Sequence, residues 1–257
     1  MNLQGRVALV TGGGRRLGRA ISEALASAGC NLLLHFGHSR EEAESAAAEL
    51  AALGVAADCV GADLAEVDQI DAMFARVEER YGGLDVLVNS AASLHRRSLA
   101  EMEPREWDEV MAVNLRAPAL CIQRAAPLMR SKVRANSSPG AVINIADLSG
   151  VVPWPGYAHH GVSKAGLLHL TRIAARELAP VVRVNAVVPG PVLPPPGESS
   201  DSEEWRKLIR RLPAGRGGQG AEVGAAVVFL AQNDFVFGET LFVDGGEHLL
   251  GAGHRQM

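Results

Sequence analysis

The chain has 257 residues, 47% hydrophobic and 21% charged, with a formal net charge of −4. That balance suits one soluble domain with a sizeable core and argues against a nucleic-acid binder, which needs a basic face. No apolar run reaches the ~20 residues of a membrane helix and Met1–Arg6 lacks a signal-peptide pattern, so a cytoplasmic protein without a membrane partner is expected.

Aromatic residues make up only 4%, so the core must be built mainly from Ala, Val and Leu. Cys30, Cys59 and Cys121 are odd in number, far apart and not at metal-ligand spacing. They read as reduced thiols, and no metal is expected.

In chain order, Arg6–Thr11 is a short Val/Leu strand that stops at Gly12, Gly13 and Gly14. Leu17–Ala28 follows as a helix with Leu17, Ile21 and Leu25 on one face, closed by Gly29. Asn31–Phe36 reads as a strand, Glu41–Leu53 as an Ala-rich helix and Ala56–Gly61 as a strand. Val67–Tyr81 is helical, with apolar residues at 70, 73, 74 and 77, and Leu84–Val88 is the fourth strand. Pro104–Lys132 reads as one long helix, with Pro118 and Pro127 as points for a kink or break. Ala141–Ala146 is a strand, Ala158–Leu178 a helix, Val181–Val187 a strand and Thr240–Val243 a last strand. Strands that are apolar throughout are covered on both faces, as in a parallel sheet. The expected fold is therefore α/β: one Rossmann-type, doubly wound parallel domain over 1–257, with helices on both faces.

The segment at about 190–213 breaks the regularity with Pro194, Pro195, Pro196 and a charged patch. It is either a substrate lid or a disordered insert, and its place after a strand's C-terminal end favours the lid. Trp205 and Leu208 are either its apolar contacts to substrate or the packing of a short helix. Arg96 and Arg97 either meet an anionic substrate or are solvated.

The Gly-rich run Thr11–Gly18 lies between a strand and a helix, where backbone can approach a pyrophosphate at the helix N-terminus. A carboxylate at the second strand's end would hold a ribose 2′-hydroxyl. The chain has His35-Phe36-Gly37-His38-Ser39-Arg40 there, and Arg15 and Arg16 lie in the first loop. A 2′-phosphate suits this charge, so NADP(H) is expected rather than NAD(H).

The motifs, in this order, resemble the short-chain dehydrogenase/reductase family across essentially the whole chain. Thr11-Gly12…Gly18 resembles its cofactor loop, with Arg16 at the middle glycine. Asp63-Leu64 resembles its adenine-side pair, and Asn89-Ser90-Ala91-Ala92 the turn after its fourth strand. Asn114 resembles its active-site asparagine, Pro189-Gly190 the loop beside the nicotinamide, and Val243-Asp244-Gly245-Gly246 its closing strand. Arg16, the His35–Ser39 stretch and Asp147 further resemble pteridine reductases, which use NADPH and carry an aspartate thirteen residues before the catalytic tyrosine. Asp147 stands thirteen before His160, His38 replaces the branch's cofactor arginine, and Pro194 occupies a frequent threonine position. The resemblance implies a cofactor site of Gly12, Arg15, Arg16, Leu17, Gly18, His38, Ser39, Asp63, Leu64, Asn89, Ala91, Lys164, Pro189, Gly190 and Val192. It also implies a homotetramer or homodimer built on the helices near 104–132 and 158–178.

The catalytic set implied by the resemblance is Asn114, Asp147, His160 and Lys164. His160 stands four before Lys164, in the place of the family's tyrosine, so the two share one helical face. Histidine can act as a general acid, with a reference pKa of ~6.5 against ~10 for tyrosine. Lys164 favours the neutral ring and Asp147 the imidazolium. The expected function is NADP(H)-dependent reduction of a small-molecule carbonyl or pterin-like imine. The alternative is a catalytically impaired NADP-binding protein with a regulatory role. Tyr157 lies seven before Lys164, ~10.5 Å along a helix, too far for direct replacement unless that helix starts late.

Overall fold

The computed structural model describes residues 1–136, 138–194, 197 and 199–250; Pro195, Pro196 and Glu198 of the expected lid fall outside this set. Seven strands form one parallel sheet in the order β3-β2-β1-β4-β5-β6-β7. They are β1 (Val7–Thr11), β2 (Asn31–Phe36), β3 (Ala57–Gly61), β4 (Val86–Asn89), β5 (Gly140–Ile145), β6 (Val182–Pro189) and β7 (Thr240–Val243). β1 pairs with β2 on one edge and β4 on the other. The strand order reverses there, the place where open α/β sheets form a binding crevice at the C-terminal ends of their strands.

Each central strand divides its side chains between two cores. Ala8 and Val10 of β1, Leu32 and Leu34 of β2, and Val86 and Val88 of β4 enter one. Val7, Leu9, Leu33 and Leu87 enter the other. The first core is closed by α1 (Arg16–Ser27), α2 (Arg40–Ala51) and α8 (Gly220–Gln232), the second by α3 (Val67–Tyr81), α5 (Ala117–Asn136) and α6 (Ala158–Leu178). An alternating pleat with apolar residues on both sides yields the continuous apolar strands of the sequence.

The expected single helix over Pro104–Lys132 is interrupted. α4 (Pro104–Met111) passes into a π-turn at Ala112–Arg116 before α5. Pro118 has no N–H for the carbonyl of Asn114 four residues back, and its ring crowds that carbonyl. The wider turn relieves the crowding, with the Ala117 amide bonding Ala112 five residues back. Pro127 stays inside α5.

Two helices lie outside the sequence assignment. α7 (Glu203–Arg210) is capped by the Ser202 hydroxyl and buries Trp205, so Trp205 packs a short helix. α8 is apolar on most of its surface and shows little helical contrast. Its Gly220 and Gly224 let it lie on α1: a Cβ at either would stand 2.7 Å from the Cβ of Ala20 or Ala24. Cys30, Cys59 and Cys121 are free thiols; Cys30 and Cys121 are buried, which pushes each up to about 12, while Cys59 is only half-buried. No described helix is long and apolar enough to cross a membrane.

Three elements that carry site residues are joined by a buried polar chain. Asn89 Nδ2 donates to Asn144 Oδ1 at 2.8 Å, and Asn144 Nδ2 donates to Thr171 Oγ1 at 2.9 Å, linking β4, β5 and α6. Asn144 is fully buried, so its loss strands a donor that no solvent reaches. Asn144→Ala is expected to lower the unfolding free energy by about 2 kcal/mol, measured as a lower urea midpoint at unchanged slope.

Candidate active site

The π-turn aims Asn114 inward. Its side chain pairs with one backbone unit in both directions: Oδ1 accepts from Ser93 N at 2.8 Å and Nδ2 donates to Ser93 O at 2.9 Å. The same Nδ2 lies 3.3 Å from His160 Nδ1 and 3.2 Å from Ser163 Oγ. Asn114 therefore fastens the loop after β4 to the first turn of α6, and it is fully buried.

His160 is 4% exposed. Its Nδ1 meets the Asn114 amide at 3.3 Å and the Ser93 carbonyl at 3.4 Å, and its Nε2 is 3.9 Å from Asp147 Oδ1. A neutral ring that accepts at Nδ1 carries its hydrogen on Nε2, toward Asp147. Asp147 itself caps the short turn Leu148–Gly150, its Oδ1 accepting from Ser149 N at 2.7 Å. Its side chain is 26% exposed, so water shares its charge.

Lys164 follows one helical turn after His160 and is buried. Its Nζ donates to Ile145 O at the end of β5 at 2.8 Å. Burial lowers the ammonium to about 8, against the opposing pull of Asp147. Burial also brings His160 down to about 4, helped by the Lys164 charge, and Asp147 only partly offsets both. The competition between Lys164 and Asp147 therefore goes to the lysine, and His160 is neutral at pH 7.

The structure thus brings Asn114, Asp147, His160 and Lys164 together. Tyr157 is not among them. It precedes α6 as its N-cap residue, and its ring stands edge-on to Trp154 at 6.1 Å. The helix does not start late, which removes the condition under which Tyr157 could have replaced His160.

The residues expected on the cofactor side, Lys164 apart, lie at or after the C-terminal ends of β1, β2, β3, β4 and β6. Gly12 has φ +65, and a Cβ there would meet Ala91 Cα at 3.2 Å; a Cβ at Gly18 would fall 2.0 Å from Gly12 O. Arg16 holds φ 48, a left-handed conformation that favours glycine, and its guanidinium donates to Pro194 O at 2.6 Å. Arg15, Arg16 and His38 are exposed, Ser39 precedes α2, and Leu17 leans on the first core. Asp63 is exposed and bonds Ala65 N at 2.8 Å. Pro189 ends β6, Gly190 packs so closely that a Cβ would meet Asp244 Cα at 2.5 Å, and Val192 is half-buried. Leu64 is buried in the second core and the Asn89 side chain is committed to Asn144. Both side chains are therefore taken up by the protein interior.

Other residues of this region gain a defined setting. Ser93 Oγ, His95 Nε2 and Glu109 Oε1 form a triangle with sides of 3.1 Å at the crevice mouth. His159 is fully buried, and neither ring nitrogen has a hydrogen-bond partner among the described residues. Arg97 pairs with Glu106 at 2.9 Å, so of the two arginines noted there one is already neutralised. His35 is buried at the end of β2 and bonds the Gly-rich loop.

A family described as enoyl-(acyl carrier protein) reductase matches residues 13–248. The 3-oxoacyl-[acyl-carrier-protein] reductase FabG of Staphylococcus aureus is 37% identical over 245 residues, covering 94% of this chain and 98% of the relative. Among solved structures, the FolM alternative dihydrofolate reductase 1 of Brucella canis, complexed with NADP, has a TM-score of 0.86 at 31% identity, covering 97% of this chain and 96% of that one. A short-chain dehydrogenase/reductase of Serratia marcescens has a TM-score of 0.88 at 31% identity, covering 96% of this chain and 100% of that one. With the parallel sheet, its switch point and these full-length likenesses in hand, the chain belongs to the short-chain dehydrogenase/reductase family.

Proposed function

We propose that this protein is an NADP(H)-dependent reductase of a carbonyl or pterin-like imine whose proton donor is His160 in the place of the family's tyrosine. The observation that carries the reading is the grouping of His160 with Asp147, 3.9 Å from Nε2, and with Asn114, 3.3 Å from Nδ1, one turn before the buried Lys164. The pteridine-reductase-like branch is supported by the likeness to an alternative dihydrofolate reductase, because the reducible group of dihydrofolate is a ring imine.

The residues fit NADP(H). The first turn of α1 has no acidic residue and no side-chain cap, which leaves its amides for a pyrophosphate. Arg15 and Arg16 are exposed beside it for a 2′-phosphate, and Asp63 is exposed for the adenine side. Two of the similar structures hold NADP or NADPH. The bound cofactor supplies the hydride. Lys164 holds the nicotinamide ribose, while Pro189, Gly190 and Val192 border the nicotinamide. Asn114 fixes the Ser93 loop and the His160 ring, and supports the water relay. The segment 190–213 acts as a lid, tied to the Gly-rich loop by Arg16 and Pro194.

Proton transfer is the step that the His160 environment controls. A neutral imidazole polarises an acceptor atom through its N–H, whereas the imidazolium protonates it. With the ring held near about 4, the imidazolium fraction at pH 7 is small and grows about tenfold per pH unit on acidification. A second reading follows from the same observation: so scarce an acid at neutrality suits an impaired NADP-binding protein with a regulatory role. Binding of NADPH without its oxidation by pterins, quinones and ketones at pH 7.5 and 5.5 would favour it. Homotetramer or homodimer assembly through α5 and α6 is supported by Val162 and Ile173, which α6 leaves exposed at 48% and 42%. Light scattering should return the mass of four chains or two, and a monomer would refute it.

If His160 is the acid, kcat/KM for reduction rises about tenfold per pH unit as pH falls from 8 toward 5. His160→Ala should lower turnover by about 10²-fold or more, and equal turnover would refute the assignment. His160→Tyr should raise turnover at pH 7–8 and flatten the slope. The same ring limits how far acidification can go. His35, His159 and His160 all lie below their ordinary value, with burial the largest cause in each. The unfolded chain therefore binds more protons than the native one from about pH 6.5 down to about 4 for His160, and stability falls through that window as pH falls. Lys164 acts in the same direction at the alkaline end. Held at about 8, it relieves part of its burial penalty as pH rises from there toward ~10.4. Melting temperatures should rise from pH 4 to 6.5, and a flat profile would refute buried neutral histidines.

A further inference from the structure

His35, the penultimate residue of β2, lies beside Thr11 of β1 and Val60 of β3, two uncharged register partners. It is 2% exposed. Its Nδ1 faces the amide of Gly12 at 3.1 Å and its Nε2 faces the carbonyl of Ala62 at 2.9 Å. An amide donates and a carbonyl accepts, so one protonation state serves both: a neutral ring with its hydrogen on Nε2. The backbone of the same residue takes the next amide, Gly13 N donating to His35 O at 3.1 Å. Two successive amides of the Gly-rich loop thus end on one residue. Gly12 is also where α1 is seated, since Gly18 packs against its carbonyl with no room for a Cβ.

We infer that His35 is the positioning residue of the nucleotide site, and that the loop is shaped for a nucleotide only while the His35 ring is neutral. The inference rests on the proposed nucleotide binding and deepens it. A second proton would sit on Nδ1 and oppose the Gly12 N–H, hydrogen against hydrogen. The Gly12 peptide would then have to turn, and at φ +65 a glycine can do so. The loop would lose the register that sets Gly18, the start of α1 and the contact with Ala91. Among charged groups, Asp63 acts on the ring across space and favours the imidazolium, as does the Ala62 carbonyl. Burial opposes both and outweighs them, keeping the ring below its ordinary value. Nucleotide binding should therefore consume neutral His35 and release protons in mild acid.

The experiment compares wild type with His35→Asn, whose side-chain oxygen can accept from Gly12 N–H but cannot take a proton. NADPH and NADH affinities are measured by fluorescence titration between pH 4.5 and 8, with circular dichroism confirming the fold at each pH. NADH is included because a 2′-phosphate titrates near pH 6. Wild type should keep its affinity for NADH above about pH 6.5 and lose it only below the ordinary histidine range, while His35→Asn stays flat for NADH throughout. An acid loss shared equally by His35→Asn overturns this inference and leaves nucleotide binding intact; absence of NADPH binding at every pH overturns both. Calorimetry of wild type in buffers of different ionisation enthalpy gives a test that needs no variant. Proton release on NADH binding is expected at the pH where wild-type affinity falls, and no release there overturns the inference.

Discussion

The turn that leaves β1 is fastened from both flanks by side chains of its own strand and its neighbour. On one side the Thr11 hydroxyl accepts from the amides of Ser90 at 2.9 Å and Ala91 at 3.0 Å, binding the turn to the loop after β4. On the other, His35 takes the amides of Gly12 and Gly13. The turn cannot relax between these ties, because Gly18 lies against the Gly12 carbonyl and Gly14 against Ala43 of α2, where a Cβ would stand 2.5 Å from Ala43 Cα. Strand order alone opens a crevice at this point. The two-sided fastening decides where α1 begins, and hence where its unpaired amides and the exposed Arg15 and Arg16 stand. The same loop after β4 continues to Ser93, which Asn114 grips, so the cofactor side and the chemical side of the crevice share one tether.

The chemical side is governed by a charge that the fold has buried. Lys164 reaches the Ile145 carbonyl and, among the described residues, has no carboxylate at salt-bridge distance. A buried cation held by a neutral acceptor projects its field on whatever lies beside it, weakly screened. His160 is that neighbour. Asp147 is the available counter-charge, but it is partly solvated and already spends an oxygen on the Ser149 amide. The order of effects, burial first, lysine second and aspartate third, therefore follows from position. The residue with the strongest charge to offer is also the least exposed.

Much of this was legible in the sequence, and what was not has a common cause. Asn31–Phe36, Val67–Tyr81, Ala158–Leu178 and Thr240–Val243 were readable to the residue. Their periodicity is local, and breakers such as Gly82, left-handed at φ 66 after Tyr81, stand at their ends. The grouping of Asn114, Asp147, His160 and Lys164 was legible through motif order. The π-turn was half legible: Pro118 announced an irregularity, but only the clash with the Asn114 carbonyl turns it into an inward-facing asparagine. α8 was missed because its Gly220 and Gly224 answer to α1, some two hundred residues earlier, and not to their own helix. The tie of His35 to the Gly-rich loop, and Ser93 altogether, were missed for a similar reason. Their partners are backbone groups of distant segments, which leave no side-chain pattern to read.

The positions that set this sequence apart from the pattern it resembles are not scattered. Arg16, at the middle glycine, donates to the carbonyl of Pro194, which occupies the threonine position. Asp147 lies 3.9 Å from His160, which the resemblance sets at the tyrosine position. Four of the unusual positions thus form two pairs, one beside the Gly-rich loop and one around His160. Residues in direct contact do not contribute additively. A tyrosine set back at position 160 would face a carboxylate in place of a serine hydroxyl, and that charge raises a phenol's pKa while the nearby lysine lowers it. A glycine set back at 16 would relieve the left-handed backbone and at the same time release the segment after β6. Each departure is therefore intelligible only with its partner. The unit in which this site departs from the pattern it resembles is the contacting pair, and for His160 that pair includes Asp147.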